Sequence, residues 1–348
     1  MNRKRDLWSI LIMAVIVAVT LWLVLGDGRA VQVWAAMGST RWPWLILGGA
    51  LMLCYAALEA VQYRLMLREM GHKVPYRHCL QFAAVGFYFS SITPSATGGQ
   101  PAEVYYMARR GIPAAHGALT MLLFTIVYQL VLVCYGLGAW LVAPWIPASL
   151  GTGLGFLLGF GATTLILLTA GMVALLIWPG PVERLCRWIL GLGARLKLVK
   201  DRDRTETNLV SQMEEYAQGA AVLKKSPGLL AKLLVLSALQ LGSRFLIPWT
   251  VYRAMGLSGY GMVEMVGIQA LVALAVNCLP IPGAVGASEA AFLTACATVY
   301  GPSHVTAAML LSRGLSFYLP LVVSGTLTAL VHLWTGGGTK DERNGKTS

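Results

Sequence analysis

Charge is what this sequence has least of. Only 12% of its 348 residues are Asp, Glu, Lys or Arg, while 57% are hydrophobic; soluble proteins carry about twice that charged share. A chain so poor in charge cannot cover its own surface with polar groups. That excludes the two or three soluble domains its length would otherwise suggest and makes lipid its main solvent. Acidic residues are scarcer still, 15 against 27 Lys and Arg. The six cysteines, Cys54, Cys79, Cys134, Cys186, Cys278 and Cys296, are scattered and form no CxxC pair. They read as buried thiols, not as a disulfide or zinc framework. His72, His78, His116, His304 and His332 have no zinc-ligand spacing, and there is no GxSxG, HExxH or SxxK arrangement. No metal, cofactor or catalytic constellation is therefore expected, and the chain reads as a non-enzyme.

What is present is a series of long apolar runs. A bilayer core takes roughly 20 apolar residues per helix, and residues 7–25, 43–67, 115–143, 150–178, 229–252 and 305–334 meet that length. Arg3, Lys4 and Arg5 precede the first run with no small-x-small cleavage site after it, so an uncleaved first span is expected. Two more apolar stretches, about 79–110 and 263–300, are broken mid-way. The breaks are Thr93-Pro94-Ser95-Ala96-Thr97-Gly98-Gly99-Gln100-Pro101 and Leu279-Pro280-Ile281-Pro282-Gly283-Ala284-Val285-Gly286. Proline and glycine at that density cannot continue a helix.

The basic residues orient these segments. With both broken stretches treated as re-entrant hairpins and the N-terminus inside, 21 of the 27 fall on the inner side, nine of them in the 179–228 loop. Arg29, Arg41 and Arg253 fall outside, and Lys232, Arg244 and Arg313 within spans. That asymmetry is what the positive-inside rule requires; a full crossing by the first broken stretch would carry the nine-charge loop outward. The expected fold is an all-α polytopic membrane protein with about six full transmembrane helices. Two oppositely oriented re-entrant helical hairpins complete an inverted-repeat-like arrangement. Pro94 and Glu103 are nine apart, as are Pro280 and Glu289, a short echo of such a repeat. Residues 1–334 are read as one membrane-embedded domain, 179–228 as a cytoplasmic amphipathic loop and 335–348 as a disordered cytoplasmic tail. The expected location is the bacterial cytoplasmic (inner) membrane, with both termini cytoplasmic. Gly151, Gly155 and Gly159 form a stripe suited to helix packing.

Charged groups kept in lipid need a reason, and the candidates are Glu59, Glu103, Glu289, Arg244 and Arg313. At about 1.5 Å per residue, Glu59 and Glu103 sit toward the inner mouth, and Arg244, Arg313 and Glu289 share the outer half. The Gly-rich breaks start short helices whose N-terminal amides attract anions, and an arginine can clamp a phosphate. The headgroup-binding candidates are Pro94, Gly98, Gly99, Glu103, Arg110, Arg244, Pro280, Gly283, Gly286, Glu289 and Arg313. Glu59, Glu103 and Glu289 are candidates for carrying protons. Helix capping by the glutamates and plain ion pairing by the arginines are the structural alternatives.

The run Ser91–Glu103, followed by Arg109-Arg110-Gly111-Ile112-Pro113, and the run Pro280–Ala290 resemble the transmembrane region of lysylphosphatidylglycerol synthases, the flippase-like domain family. The resemblance covers roughly 7–334. In bifunctional members this region moves an aminoacylated lipid that a separate soluble domain makes; here 14 residues follow Trp334. The resemblance therefore implies a stand-alone lipid translocase-like module. Its partner would be a membrane lipid with an anionic or zwitterionic head, or a polyprenyl-linked lipid, and not nucleic acid. Two other readings stay open. One is a scaffold that gathers a lipid-pathway enzyme through 200–228, and the other is a headgroup transferase using Glu59 and Glu103.

Overall fold

A computed structural model describes residues 40–142, 151–178, 214–222 and 225–344 apart from Cys278 and Pro280, together with the isolated Gly38, Gly180 and Arg184. The expected first span, 7–25, and the amphipathic stretch 181–198, Arg184 excepted, lie outside the described residues. Among the described residues every regular element is helical, so the all-α polytopic membrane fold holds. α1 (Trp42–Glu69) starts at a proline, whose missing N–H is harmless in a first turn. It ends where Gly71 takes φ 87° and His72 N–H donates to the Leu67 carbonyl. α2 (Tyr76–Ile92) and α3 (Gly99–Ala108) follow, joined by a 3₁₀ turn at Pro94–Ala96. α4 (Ala114–Val142) and α5 (Gly151–Ile177) are long and apolar.

The second half repeats the scheme. α6 (Pro227–Phe245) and α7 (Ile247–Ala254) form one path interrupted before Pro248. α8 (Met262–Val276) and α9 (Ala287–Tyr300) flank a 3₁₀ turn at Pro282–Ala284. α10 (Val305–Arg313) passes through a π-helical turn at Gly314–Tyr318 into α11 (Leu319–Asn344). Pro320 has no N–H to close the α ladder at that point, and the ladder loosens into the wider turn. The backbone of α11 runs past Trp334 to Asn344 as helix. Extending a formed helix adds one bond per residue without a new nucleus.

Among the described residues, five paths are long and apolar enough to cross a membrane: Trp42–Glu69, Ala114–Leu141, Gly153–Ile177, Pro227–Ala254 and Val305–Val331. They coincide with five of the six expected spans. The broken stretches form two helical hairpins, whose arms pack on each other. Those arms have 17 and 10 residues in the first hairpin and 15 and 14 in the second. Their lengths are therefore about 15 to 26 Å, against roughly 30 Å for a hydrocarbon core. The packing is reciprocal. The first arm of each hairpin lies against the long helix that follows the hairpin of the other half, α2 on α11 and α8 on α4, while α1 lies along α6 and the two tips touch. A two-fold axis through the tips would relate the halves in this way.

Gly155 and Gly159 face open space, so the glycine stripe is not the packing face of α5. The close approach is at Gly161, where a Cβ would run into the Leu274 carbonyl of α8. Backbone cannot yield as a side chain end can. Gly161→Ala is therefore expected to cost about 1–3 kcal/mol, read as a lower thermal midpoint in detergent, with Gly155→Ala neutral or stabilising.

The 179–228 loop is partly described. Residues 214–222 are helical, bury Tyr216 and Ala220, and lie over α4, where a Cβ on Gly219 would meet Leu119 and His116. His116 in turn sits 2.8 Å from His72, a pairing that spacing alone did not reveal. Burial, then the neighbouring His116, holds the His72 imidazole below its ordinary value.

Candidate functional site

Both hairpin tips use the same backbone device. Ser95 and Ala96 take φ 52° and 55°, and Gly283 and Ala284 take 58° and 49°. Left-handed conformations in three non-glycine residues are costly and persist where surrounding structure imposes them. In each tip a proline opens the turn, and the equivalent of Pro94 is Pro282. The nine-residue echo through Pro280 was thus two residues out of register, and Pro280 itself lies outside the described residues.

The shift changes what the two glutamates do. Glu289 is at the third position of α9, and its Oε2 accepts the Gly286 N–H at 2.7 Å, a capping interaction. Glu103 is the fifth residue of α3 and caps nothing. The Gly98 N–H is taken by the Thr93 hydroxyl at 2.9 Å. With Gly98 and Gly286 N–H both satisfied internally, these two amides are not available to an anion.

Between the tips and the long helices lies a cavity of about 660 Å³. Its walls bring together Glu59 from α1, Glu103 from α3, Arg244 from α6, Arg313 from α10, and both tips. The two charge clusters expected at opposite mouths therefore face one chamber.

On one side the Tyr63 hydroxyl lies 2.9 Å from Oε1 of Glu59 and 2.9 Å from Oε1 of Glu103. Gln240 Nε2 donates to Glu59 Oε2 at 3.0 Å. Gln62 Nε2 donates to the Gln240 carbonyl oxygen, and Ser237 Oγ to that of Gln62, each at 2.8 Å. All of these groups except the Glu103 carboxyl come from α1 and α6, which pack along each other. Gly86 of α2 makes room for Glu103, since a Cβ there would land on its carboxyl.

Arg244 belongs to this side and not with Arg313, because it follows Gln240 by one helical turn on α6 and so faces α1. Its guanidinium is 5.6 Å from the Tyr55 ring centroid, with the Tyr55 and Tyr128 hydroxyls as polar neighbours and Glu59 within its field. Among the described residues no carboxylate is close enough to form a salt bridge with it. Arg313 is paired with a carboxylate. Its Nε donates to Glu289 Oε1 at 2.7 Å, its Nη2 to the Gly283 carbonyl at 3.3 Å, and the guanidinium stacks 4.3 Å from the Phe317 ring. Tyr318 adds a third donor to Glu289 at 3.1 Å. The pair ties the second tip to the π-helical turn.

The other expected headgroup residues fall as follows. Pro94 opens its tip, and Gly98 and Gly99 serve the packing of α3 on α2, where added Cβ atoms would meet Thr93 and Ser90. Gly283 lines the cavity but is pressed against Phe317. Gly286 supports the cap. Arg110 is outside the cavity wall and donates to Gln81 on an exposed face at 3.3 Å; seven residues of chain past Glu103 carry it about 10 Å away.

The profile of the lysylphosphatidylglycerol synthase TM region matches residues 9–324. The chain belongs to that family. A UPF0104 membrane protein of Archaeoglobus fulgidus is 20% identical to it over 259 residues, 74% of this chain and 76% of the relative. A UPF0104 membrane protein of Methanothermobacter thermautotrophicus is 21% identical over 323 residues, 89% and 91% of the two chains. This is accordingly a multi-pass membrane protein of the synthase TM-region family, and every cavity-lining residue falls within the matched stretch. Tyr63, Gln240, Tyr55 and Tyr128 were missed in the sequence because none is charged. A signal existed: Tyr55, Glu59 and Tyr63 recur every four residues on α1, and Gln240 and Arg244 do so on α6, which places each set on one helix face.

Proposed function

We propose that this protein is a lipid translocase whose cavity receives the polar head of a membrane lipid while the acyl chains stay in the bilayer. The observation that carries the reading is Arg244, a cation on the cavity wall answered by two phenols and by no carboxylate within salt-bridge distance among the described residues. An arginine so placed is matched by a phosphate or carboxylate on a guest. A polar atom supports it: Gln269 Nε2, from a cavity-lining residue, is buried without a hydrogen-bond partner among the described residues. An unpartnered buried group of this kind is costly, and a polar guest would satisfy it.

In this reading the hairpins are re-entrant and enter from opposite faces, their arms being too short to cross. The basic loops face the cytoplasm. The cargo class is a lipid with an anionic or zwitterionic head, or a polyprenyl-linked lipid. Exposed apolar side chains such as Leu53, Phe156, Leu167 and Val322 give the bundle its lipid-facing exterior. The test is purified protein reconstituted into vesicles with headgroup-labelled lipids of each class, followed by the loss of label from one leaflet. Faster exchange of at least one class than in protein-free vesicles is the expected result. Identical kinetics for all classes overturns the reading.

A further inference from the structure

We infer that Glu103, Tyr63 and Glu59 share one proton beyond the phenol's own, and that its passage from Glu103 to Glu59 sets the charge that Arg244 offers to the cavity. The coupling half of this inference rests on the translocase reading, whereas the shared proton rests on geometry alone. The phenol oxygen is 2.9 Å from a carboxyl oxygen of Glu59 and 2.9 Å from one of Glu103, so three oxygens form a chain. Two hydrogen bonds among three oxygens need two protons. A phenol supplies one, so one of the carboxyls must carry the other.

The neighbouring amides identify which carboxyl it is. Ser237 donates to Gln62, Gln62 to Gln240, and Gln240 to Glu59 Oε2, a chain of donors running in one direction. Reversing one amide would set donor against donor, and reversing both would turn the Gln62 carbonyl oxygen toward the Leu58 carbonyl that its Nε2 now meets at 3.4 Å, so the chain runs toward Glu59 Oε2 as acceptor. That second donor and the nearby Arg244 charge both favour the Glu59 anion, so in the resting arrangement its Oε1 takes the Tyr63 proton and both of its oxygens accept. Glu103 receives no donor besides the phenol among the described residues, and it is the acid: its O–H points to the Tyr63 oxygen. The titratable and charged groups facing the triad are Tyr55 from α1, Tyr128 from α4 and Arg244 from α6. α2 presents Gly86 there, and Arg313 across the cavity is held by Glu289.

The relay conserves protons. The O–H bond of Glu103 breaks as a new one forms on the Tyr63 oxygen, while the original phenol proton passes to Glu59 Oε1. Glu103 ends as the anion, Glu59 ends neutral, and the phenol is restored. Arg244 loses the negative charge in its field and is left to an anionic head. Glu103, which lines the cavity, then takes a replacement proton from it, so that a bound anion is accompanied by one net proton, which is the requirement for moving them in the same direction.

The test uses the full chain in nanodiscs at neutral pH, with infrared detection of the protonated-carboxyl C=O stretch identified by ¹³C-glutamate labelling. The expected spectrum shows that band in the wild type, shifted by Tyr63→Phe and abolished by Glu103→Gln. Glutamine is close in shape to the protonated acid and keeps a donor toward Tyr63, so this variant retains the fold. Should it fail to fold, Tyr63→Phe decides, since the band must move when its acceptor is removed. A wild type without the band, or a band unchanged in both variants, overturns the inference. In vesicles, a gradient of about one pH unit is expected to bias the distribution of the moved lipid by up to about tenfold, and not at all in Glu103→Gln. Lipid movement that ignores the gradient in the wild type overturns the coupling. The band without movement of any lipid would count against the translocase reading and leave the shared proton standing.

Discussion

Replacing Arg313 with methionine is expected to cost the folded protein about 3–5 kcal/mol, the largest stability loss of any single change at the cavity. Arg313 and Glu289 are 2.7 Å apart with side-chain exposures of 10% and 2%. Taking both ions out of water is expensive, and their attraction offsets that cost only while both are present. Removing the arginine leaves a carboxylate buried with one phenol and one backbone amide, and it frees the Gly283 carbonyl of its partner. The loss would be read as a lower midpoint of thermal or detergent unfolding.

Removing both ions should be milder. A double replacement, Arg313→Met with Glu289→Met, is expected to recover much of the loss, because no unpaired charge is left behind. The cycle of single and double variants isolates the coupling between them. Additive losses would show that the pair is not a unit. The sequence left Glu289 open between a role toward headgroup or proton and a helix cap. In the fold it is a clamp joining the second tip to the π-helical turn, with three donors already in place.

The difference shows which information a sequence of this kind carries openly. Span positions follow from length and apolarity, which translate directly into the helices at Trp42–Glu69, Pro227–Ala254 and the others. The tips follow from proline and glycine density. Partnership is harder. Gln62 and Gln240 are 178 residues apart and bond to each other in the core, yet along the chain each is one uncharged polar residue in an apolar run. Tyr63 is hidden the same way, since a tyrosine in a span reads as bulk until a second carboxyl is seen on its other side. The glycines misled in the opposite sense. Gly155 and Gly159 had the spacing of a packing stripe, but Gly161, outside that register, meets α8. Spacing identifies a face of a helix and not what lies against it. Depth along the helix was likewise an incomplete guide for Arg244: its height was counted from the span ends, but its partners depend on the rotation of α6 against α1.

That rotation makes Arg244 the position where function and stability should separate most clearly. Arg244→Met is expected to slow translocation of an anionic lipid by about 10- to 100-fold, the value of a hydrogen-bonded charged contact to a guest. The fold should lose far less than with Arg313→Met. No salt bridge is broken among the described residues, and Glu59 keeps its bonds to Tyr63 and Gln240 when the arginine is gone. The methylene stem still fills its place against Tyr55. Arg244→Lys keeps the charge but not the planar fork, so an intermediate rate is expected if two oxygens of the guest are gripped at once. Vesicle exchange rates and thermal midpoints on the same preparations provide both readouts. A midpoint that falls as far as that of Arg313→Met would mean that Arg244 holds the bundle together and does not hold cargo. An unchanged rate with an unchanged midpoint would remove the anionic head from the mechanism altogether, because this is the one cation on the cavity wall that the described residues leave without a carboxylate.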